Sequence, residues 1–379
     1  HLEKIQQFLL DFGKQVGVEA FKDPAENIVF RKPATPGMEN CKSIGFIAHM
    51  DTAPDFSGKD VRPQIIPDYD GGDVLLKGSQ NVLKVSDFPS LTSLKGRTLI
   101  TTDGTTLLGA DDKAGVAEIM TMAEQIIWEN IAHGKICIGF TPDEEVGCGV
   151  DFFDVEGFGA DYAYTVDGGD LGELEYENFN AAGAKVFIKG VSVHTGYAKG
   201  KMVNASRLAV EFQNMIPEAE TPEHTEGYQG FYHLLGIESR CEEAKLSYII
   251  RDHDREKFED RKDFIEDCAK KMNEKYGEGT VSVAIQDQYY NMKEKIDPNM
   301  HVIDIVLRAM QESGVPPRVE PIRGGTDGAQ LSFKGLPCPN IFAGGVNFHG
   351  PHEFVSIQVM EKVVKTIVKI AEITEEFND

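Results

Sequence analysis

The sequence predicts an α/β fold: a mostly parallel, mixed sheet with helices on both faces, interrupted by an inserted ferredoxin-like βαββαβ domain. Three observations lead there. Through the first half, short apolar β-prone runs alternate with helix-like stretches, the pattern of strands joined by crossover helices. Near Asn178 the rhythm changes to β-α-β-β-α-β, an order that closes on itself as a separate module. After Tyr290 a helix and an apolar strand resume, which returns the chain to the first sheet.

Taken in order, Leu2–Gly17 reads as a helix, and Ser43–Ala48 (SIGFIA) as the first clear strand. Pro54–Thr101 is rich in Gly, Pro and Asp, which predicts short β elements and loops. Asp112–Asn130 is a long amphipathic helix, followed by strands at Ile136–Phe140 (ICIGF) and Tyr162–Val166 (YAYTV). In the insert, Ala184–Gly190 reads as a strand, Met202–Met215 as a helix, and Phe231–Ser239 with Lys245–Arg251 as paired strands. A charged helix at Asp254–Tyr276 and a strand at Thr280–Gln286 complete it. Val302–Ser313 (helix) and Pro339–Ala343 (strand) belong to the first sheet again. The expected domains are 1–177 with 294–379, and 178–293 as the insert.

Composition narrows the partners. A chain of 379 residues, 41% hydrophobic and 26% charged, is that of an ordinary globular protein of about two domains. Its formal net charge of −24 argues against nucleic acid and anionic membrane surfaces, because phosphate contact needs clustered Lys and Arg. Bound divalent cations would balance part of the excess. No apolar run approaches the roughly 20 residues of a membrane helix, and no signal peptide is visible. The six cysteines form no CxxC pair or disulfide-like framework, which fits a reducing cytoplasm.

In open α/β sheets, ligands bind outside the carboxyl ends of the strands. There SIGFIA runs into His49-Met50-Asp51-Thr52, ICIGF toward Glu144-Glu145, YAYTV into Asp167-Gly168-Gly169, and PNIFAGG into a loop with His349. Asp111 and Asp112 stand at the head of the amphipathic helix. Singly, each has an ordinary explanation: a solvated acidic turn, a structural histidine, an Asp-Gly turn, a helix cap. Together, two imidazoles and three or four carboxylates are the ligand inventory of a divalent-cation site, zinc by preference. Adjacent residues leaving a strand point apart, so one member of the Glu144-Glu145 pair can hold metal while the other handles protons.

The stretches HMDTAP, TTDGTTLLGADDKAG, TPDEEVG, VDGG, HTGYAKGKMVNA, RGGTDGAQLS and NFHGPHEF resemble the peptidase T family. These are the tripeptide aminopeptidases among the two-zinc exopeptidases, which also include glutamate carboxypeptidase and aminoacylase. The resemblance covers nearly the whole chain from His49 onward. It implies a zinc exopeptidase-like catalytic domain with an inserted lid or dimerisation domain, and two Zn2+ per subunit. His49, Asp111 and Asp167 are then expected to hold one zinc, and Asp111, Glu145 and His349 the other, with Asp111 as the bridge. Glu144 is the expected general base, and Asp51 the group that orients His49 through its second ring nitrogen. His349 is preferred over His352 because His349–Glu353 fits the family's spacing at the last ligand.

In the insert, His194 matches a position that contacts substrate or oxyanion in relatives. Asn204, Arg251 and Arg323 are candidate anchors for a peptide's backbone or carboxylate. Gly324-Gly325 reads as a tight turn, not a phosphate cradle. The leading expectation is a cytoplasmic tripeptide aminopeptidase, monomer or homodimer, in which Glu144 moves the proton of a metal-activated water. A two-zinc deacylase or carboxypeptidase acting on N-acyl amino acids or dipeptides is the alternative. A non-catalytic zinc- or peptide-binding protein is the third.

Overall fold

The run IGFIAH forms a strand, Ile44–His49, in which every residue is buried. A strand is covered on both sides only inside a sheet that carries helices on both faces, and that is its setting in a computed structural model of the chain. Residues 2–374 are described. Four parallel strands form the middle of an eight-stranded sheet, in the order Ile136–Thr141, Ile44–His49, Tyr162–Gly168 and Asn340–Phe342. Ile28–Lys32 and Glu19–Lys22 extend one side antiparallel. Glu173–Glu175 extends the other antiparallel, with Arg318–Val319 beyond it.

Alternation along these strands divides the core between the two faces. Ile47, Cys137 and Ala163 pack with Phe153, Phe158, Leu331 and Leu336 on one side. Gly45 is small there of necessity: a Cβ would stand 2.7 Å from that of Ala163 and 2.8 Å from the Phe158 ring. The helix Ala110–Trp128 packs against the Ile44–His49 and Tyr162–Gly168 strands and against the helix Ile357–Ile373. Its buried Val116, Ile119, Met122 and Ile126 recur at helical spacing.

The stretch expected to be loops and short β elements holds more order than its composition suggests. Leu99–Thr101 pairs with Gln64–Ile66 on one side and with Phe354–Ser356 on the other. Phe354–Ser356 in turn pairs antiparallel with Gly345–Val346. The last pairing makes a hairpin whose loop contains His349. Strands of two or three residues carry no readable period, which is why the sequence did not reveal this small sheet.

By internal contacts the chain divides into two units: His1–Tyr176, Met292–Glu320 and Thr326–Asp379 form one, Glu177–Asn291 and Pro321–Gly325 the other. The second unit is an antiparallel sheet in the order Phe231–Ser239, Glu243–Asp252, Asn180–Lys189, Val281–Tyr289, with helices Ala205–Gln213 and Arg255–Tyr276. That is the ferredoxin-like order. Val186, Ile188, Leu246, Tyr248 and Ile250 face Phe212, Phe258, Ile265 and Met272 in its core. The first strand begins at Asn180, ahead of the expected Ala184, because Asn-Ala-Ala-Gly offers no β-branched signal. The helix starts at Ala205, after Asn204 has capped it by accepting the Arg207 N–H.

Replacing Ile47 by alanine deletes a fully buried side chain between two packed layers. The expected loss is about 2–5 kcal/mol of stability, read from urea unfolding. A loss below about 0.5 kcal/mol, typical of surface changes, would contradict the two-sided burial of this strand.

Candidate metal centre

Parallel strands in register deliver their carboxyl ends to one edge. His49 pairs with Thr141, and Ile47 with Thr165, so His49 and Asp167 finish level. Past Thr141 the chain turns through Asp143, in the left-handed region at φ 58°, into a single 3-10 turn that starts with Glu144 and Glu145. Asp111 arrives at the head of the Ala110–Trp128 helix, after Gly109 at φ 78° has redirected the chain. His349 comes from the hairpin of the small sheet.

Asp111 lies between two imidazoles. Its Oδ1 is 2.9 Å from His49 Nε2 and its Oδ2 is 3.2 Å from His349 Nε2. Asp167 Oδ1 stands 3.4 Å from the same His49 nitrogen, and Glu145 Oε2 stands 3.1 Å from His349 Nε2. Possible ligand atoms of His49, Asp111 and Glu145 lie within 4.8 Å of one another, as do those of His49, Glu144 and Asp167. Glu145 thus faces His349, and Glu144 stands on the His49–Asp167 side. His352 turns away, with its ring 5.5 Å from that of Phe88.

Neighbouring acids hold this arrangement through the backbone. The two oxygens of Asp51 accept the N–H groups of Glu144 and Glu145, each at 3.1 Å. Asp51 Oδ1 also lies 3.2 Å from His49 Nδ1, a contact short of a well-aligned hydrogen bond. Asp112 accepts the His49 N–H at 3.1 Å, and Asp327 accepts the Thr141 hydroxyl at 2.8 Å. Glu353 accepts three backbone N–H groups, from Leu108, Gly109 and Asp111. The supporting roles of Asp112, Asp327 and Glu353 were not read from the sequence. Asp112 was visible only as half of a doublet, and the other two only as letters within motifs.

Crowding shows in the protonation equilibria. Burial, then the charges of Asp167 and Asp327, push Glu144 up to about 9. Burial and the charge of Asp111 push Glu145 to about 7, and burial pushes Asp167 to about 6 despite the opposing His49. Burial also acts upward on Asp111, but hydrogen bonds with His349 and His49 outweigh it and hold this carboxyl below its ordinary value. The Asp111 hydrogen bond raises His349 to about 9. Glu145 Oε1 is buried without a hydrogen-bond partner among the described residues. Two imidazoles, crowded carboxylates and an orphaned buried oxygen suit a pair of divalent cations, which would favour the ionised acids and neutral imidazoles.

The chain is 60% identical to a curated peptidase T of Clostridium novyi over 333 residues, 87% of this chain and 82% of the relative. The chain belongs to the peptidase T family. Residues 176–280, most of the second unit, match the family profile of a peptidase dimerisation domain. The solved aminopeptidase PepT of Bacillus cereus shares the peptidase T fold found here. Its TM-score is 0.78 at 24% identity, covering 97% of this chain and 92% of that one. A tripeptidase of Staphylococcus aureus gives a TM-score of 0.81 at 22% identity, over 98% and 92%.

Four further candidates in this peptidase T chain lie in the second unit. His194 precedes a 3-10 turn and accepts the Gly196 N–H through Nδ1. Asn204 is the helix cap already described. Arg251 stacks over Tyr289 at 5.2 Å and donates to Gln288 and to the Ile250 carbonyl. Arg323 donates to the carbonyls of Gly227 and Gln229 and to the Thr225 hydroxyl, and lies against the rings of Phe179 and Phe231. Asn204 and Arg323 therefore have local structural work, whatever else they bind.

The raised groups make a signed prediction. Their contribution to stability is complete below their ordinary values and is lost as pH climbs through the raised ones. For Glu144 that window runs from 4.5 to about 9, and Glu145, Asp167 and His349 act in the same direction. The melting temperature of metal-free protein is therefore expected to fall as pH rises across this window, and zinc is expected to flatten the fall. A metal-free melting temperature that rises with pH would contradict the described environment.

Proposed function

We propose that this chain is a metal-dependent aminopeptidase that removes the N-terminal residue from tripeptides. The observation that carries the reading is the Asp111 carboxylate, which offers one oxygen toward His49 and the other toward His349, with Glu144 alongside. Its support lies in the family and in the donor set. His49, Asp111 and Asp167 would hold one Zn2+, and Asp111, Glu145 and His349 the second. When bound, the metals supply Lewis-acid polarisation of the scissile carbonyl, acidification of water and stabilisation of the developing oxyanion.

The chain's own residues do the rest. Glu144 takes a proton from the water that attacks the peptide carbonyl and returns it to the departing amine nitrogen, so the water is divided between the two products. General acid–base help of this kind is worth about 10²–10⁴-fold. Asp51 keeps the two glutamates in fixed places by holding both their backbone N–H groups, which stops Glu144 and Glu145 from exchanging roles. Burial favours proton uptake by Glu144, and a nearby cation moderates that tendency toward neutral pH.

Homodimerisation through the second unit is part of the proposal, supported by the match to a peptidase dimerisation domain. A cytoplasmic location is proposed from cysteine usage. No helix among the described residues is long and apolar enough to cross a membrane.

Glu144→Gln is expected to retain two zinc ions by metal analysis and to lower kcat on a tripeptide by about 10²–10⁴-fold. Loss of a metal with the activity would make Glu144 a ligand and refute its role as base. A panel of tripeptides, dipeptides and N-acetyl amino acids tests the substrate. Tripeptides are expected to give the highest kcat/KM, and a preference for acetylated amino acids would turn the reading to a deacylase.

A further inference from the structure

We infer that Glu353 is a positioning residue for the metal pair, because it ties the hairpin that presents His349 to the backbone of the bridging Asp111. The inference rests on the reading that these residues hold two divalent cations. Glu353 is 1% exposed, and both of its oxygens are engaged. Oε2 accepts the N–H groups of Leu108 and Gly109 at 2.7 and 2.8 Å, and Oε1 accepts that of Asp111 at 3.0 Å. A carboxylate suits this task because three converging donors need an acceptor with two oxygens and no proton of its own. Asp111 and Glu353 are 242 residues apart in sequence, so these bonds bring together two loops that no local turn could align.

The other end of the tether reaches His349. Glu353 leads directly into Phe354–Ser356, the second strand of the hairpin that carries His349. His349 itself is in the left-handed region, at φ 63°, a conformation uncommon for a residue with a side chain. Its side chain is 45% exposed, whereas that of His49 is 2% exposed. Packing therefore fixes His49, but contributes little to fixing His349. Its place opposite Asp111 depends on the hairpin, and Glu353 joins that hairpin to Asp111's own backbone. The same geometry makes one cation site more dependent on Glu353 than the other, since the His49–Asp167 side is built on two central strands.

The test is zinc titration of the full-length, metal-free protein by calorimetry, with metal analysis after desalting. In Glu353→Gln an amide NH2 replaces one acceptor and faces backbone donors. One of the two zinc ions is expected to bind about 10–100-fold more weakly, the range typical of groups that support metal ligands, while the other keeps near wild-type affinity. His349→Ala serves as the reference and should weaken the same site. A role confined to folding would lower the melting temperature without this selective loss. If Glu353→Gln does not fold, Glu353→Asp, which keeps the charge on a shorter stem, is expected to give the same selective weakening. Folded Glu353→Gln or Glu353→Asp with wild-type affinity at both sites would overturn the inference and leave the proposed function intact. Wild-type protein that takes up no zinc would refute both.

Discussion

Crowding several carboxylates into a buried edge, where each loses water and repels the others, is the constraint on which this site depends. Two unit charges about 4 Å apart repel by about 4 kcal/mol at an effective dielectric of about 20, more than a typical net hydrogen bond of about 1 kcal/mol offsets. Burial first, and the neighbouring charges after it, move Glu144, Glu145 and Asp167 toward their protonated forms, while the surrounding acids move the two histidines toward their charged forms. Asp111, flanked by both imidazoles, alone among these ligand candidates is held ionised more firmly than usual. Divalent cations held as proposed would satisfy the whole group at once. The acidic cluster would then be a cage whose electrostatic cost its bound cations offset.

The scaffold confines that cost to one edge. Central parallel strands give His49 and Asp167 a fixed level, and their burial on both faces leaves little room for movement. The remaining ligand candidates come from turns, and two of these turns are held through backbone N–H groups by acids outside the proposed ligand set. Asp51 holds the Glu144-Glu145 turn, and Glu353 holds the approach to Asp111. Rigid strands supply His49 and Asp167, and the turns and loops supply Asp111, Glu145 and His349. This division explains why supporting acids outnumber what ligation alone requires.

Much of this was legible in the sequence, for identifiable reasons. SIGFIA, ICIGF, YAYTV and PNIFA are short apolar runs of buried parallel strands, and His49, Glu144-Glu145 and Asp167 stand just past the first three. The inserted module announced itself through the altered order of its elements. The small sheet that positions His349 was not legible, because its strands are too short to show alternation and its pairings join residues such as Ile100 and Val355. Nor were the supports at Asp112, Asp327 and Glu353. Their partners are main-chain groups or a distant hydroxyl, and a backbone N–H leaves no letter in the sequence. Element ends shifted where small or polar residues, such as Asn180–Gly183, formed strand without β propensity.

The claim at the centre is that Asp111 stands between two metal ions. Anomalous diffraction at the zinc edge, from crystals of zinc-loaded protein, measures it most directly. The account predicts two peaks about 3.5 to 4 Å apart, one on the His49–Asp167 side of Asp111 and one on the Glu145–His349 side. A single peak, or two peaks with Asp111 outside the coordination of either, would contradict it.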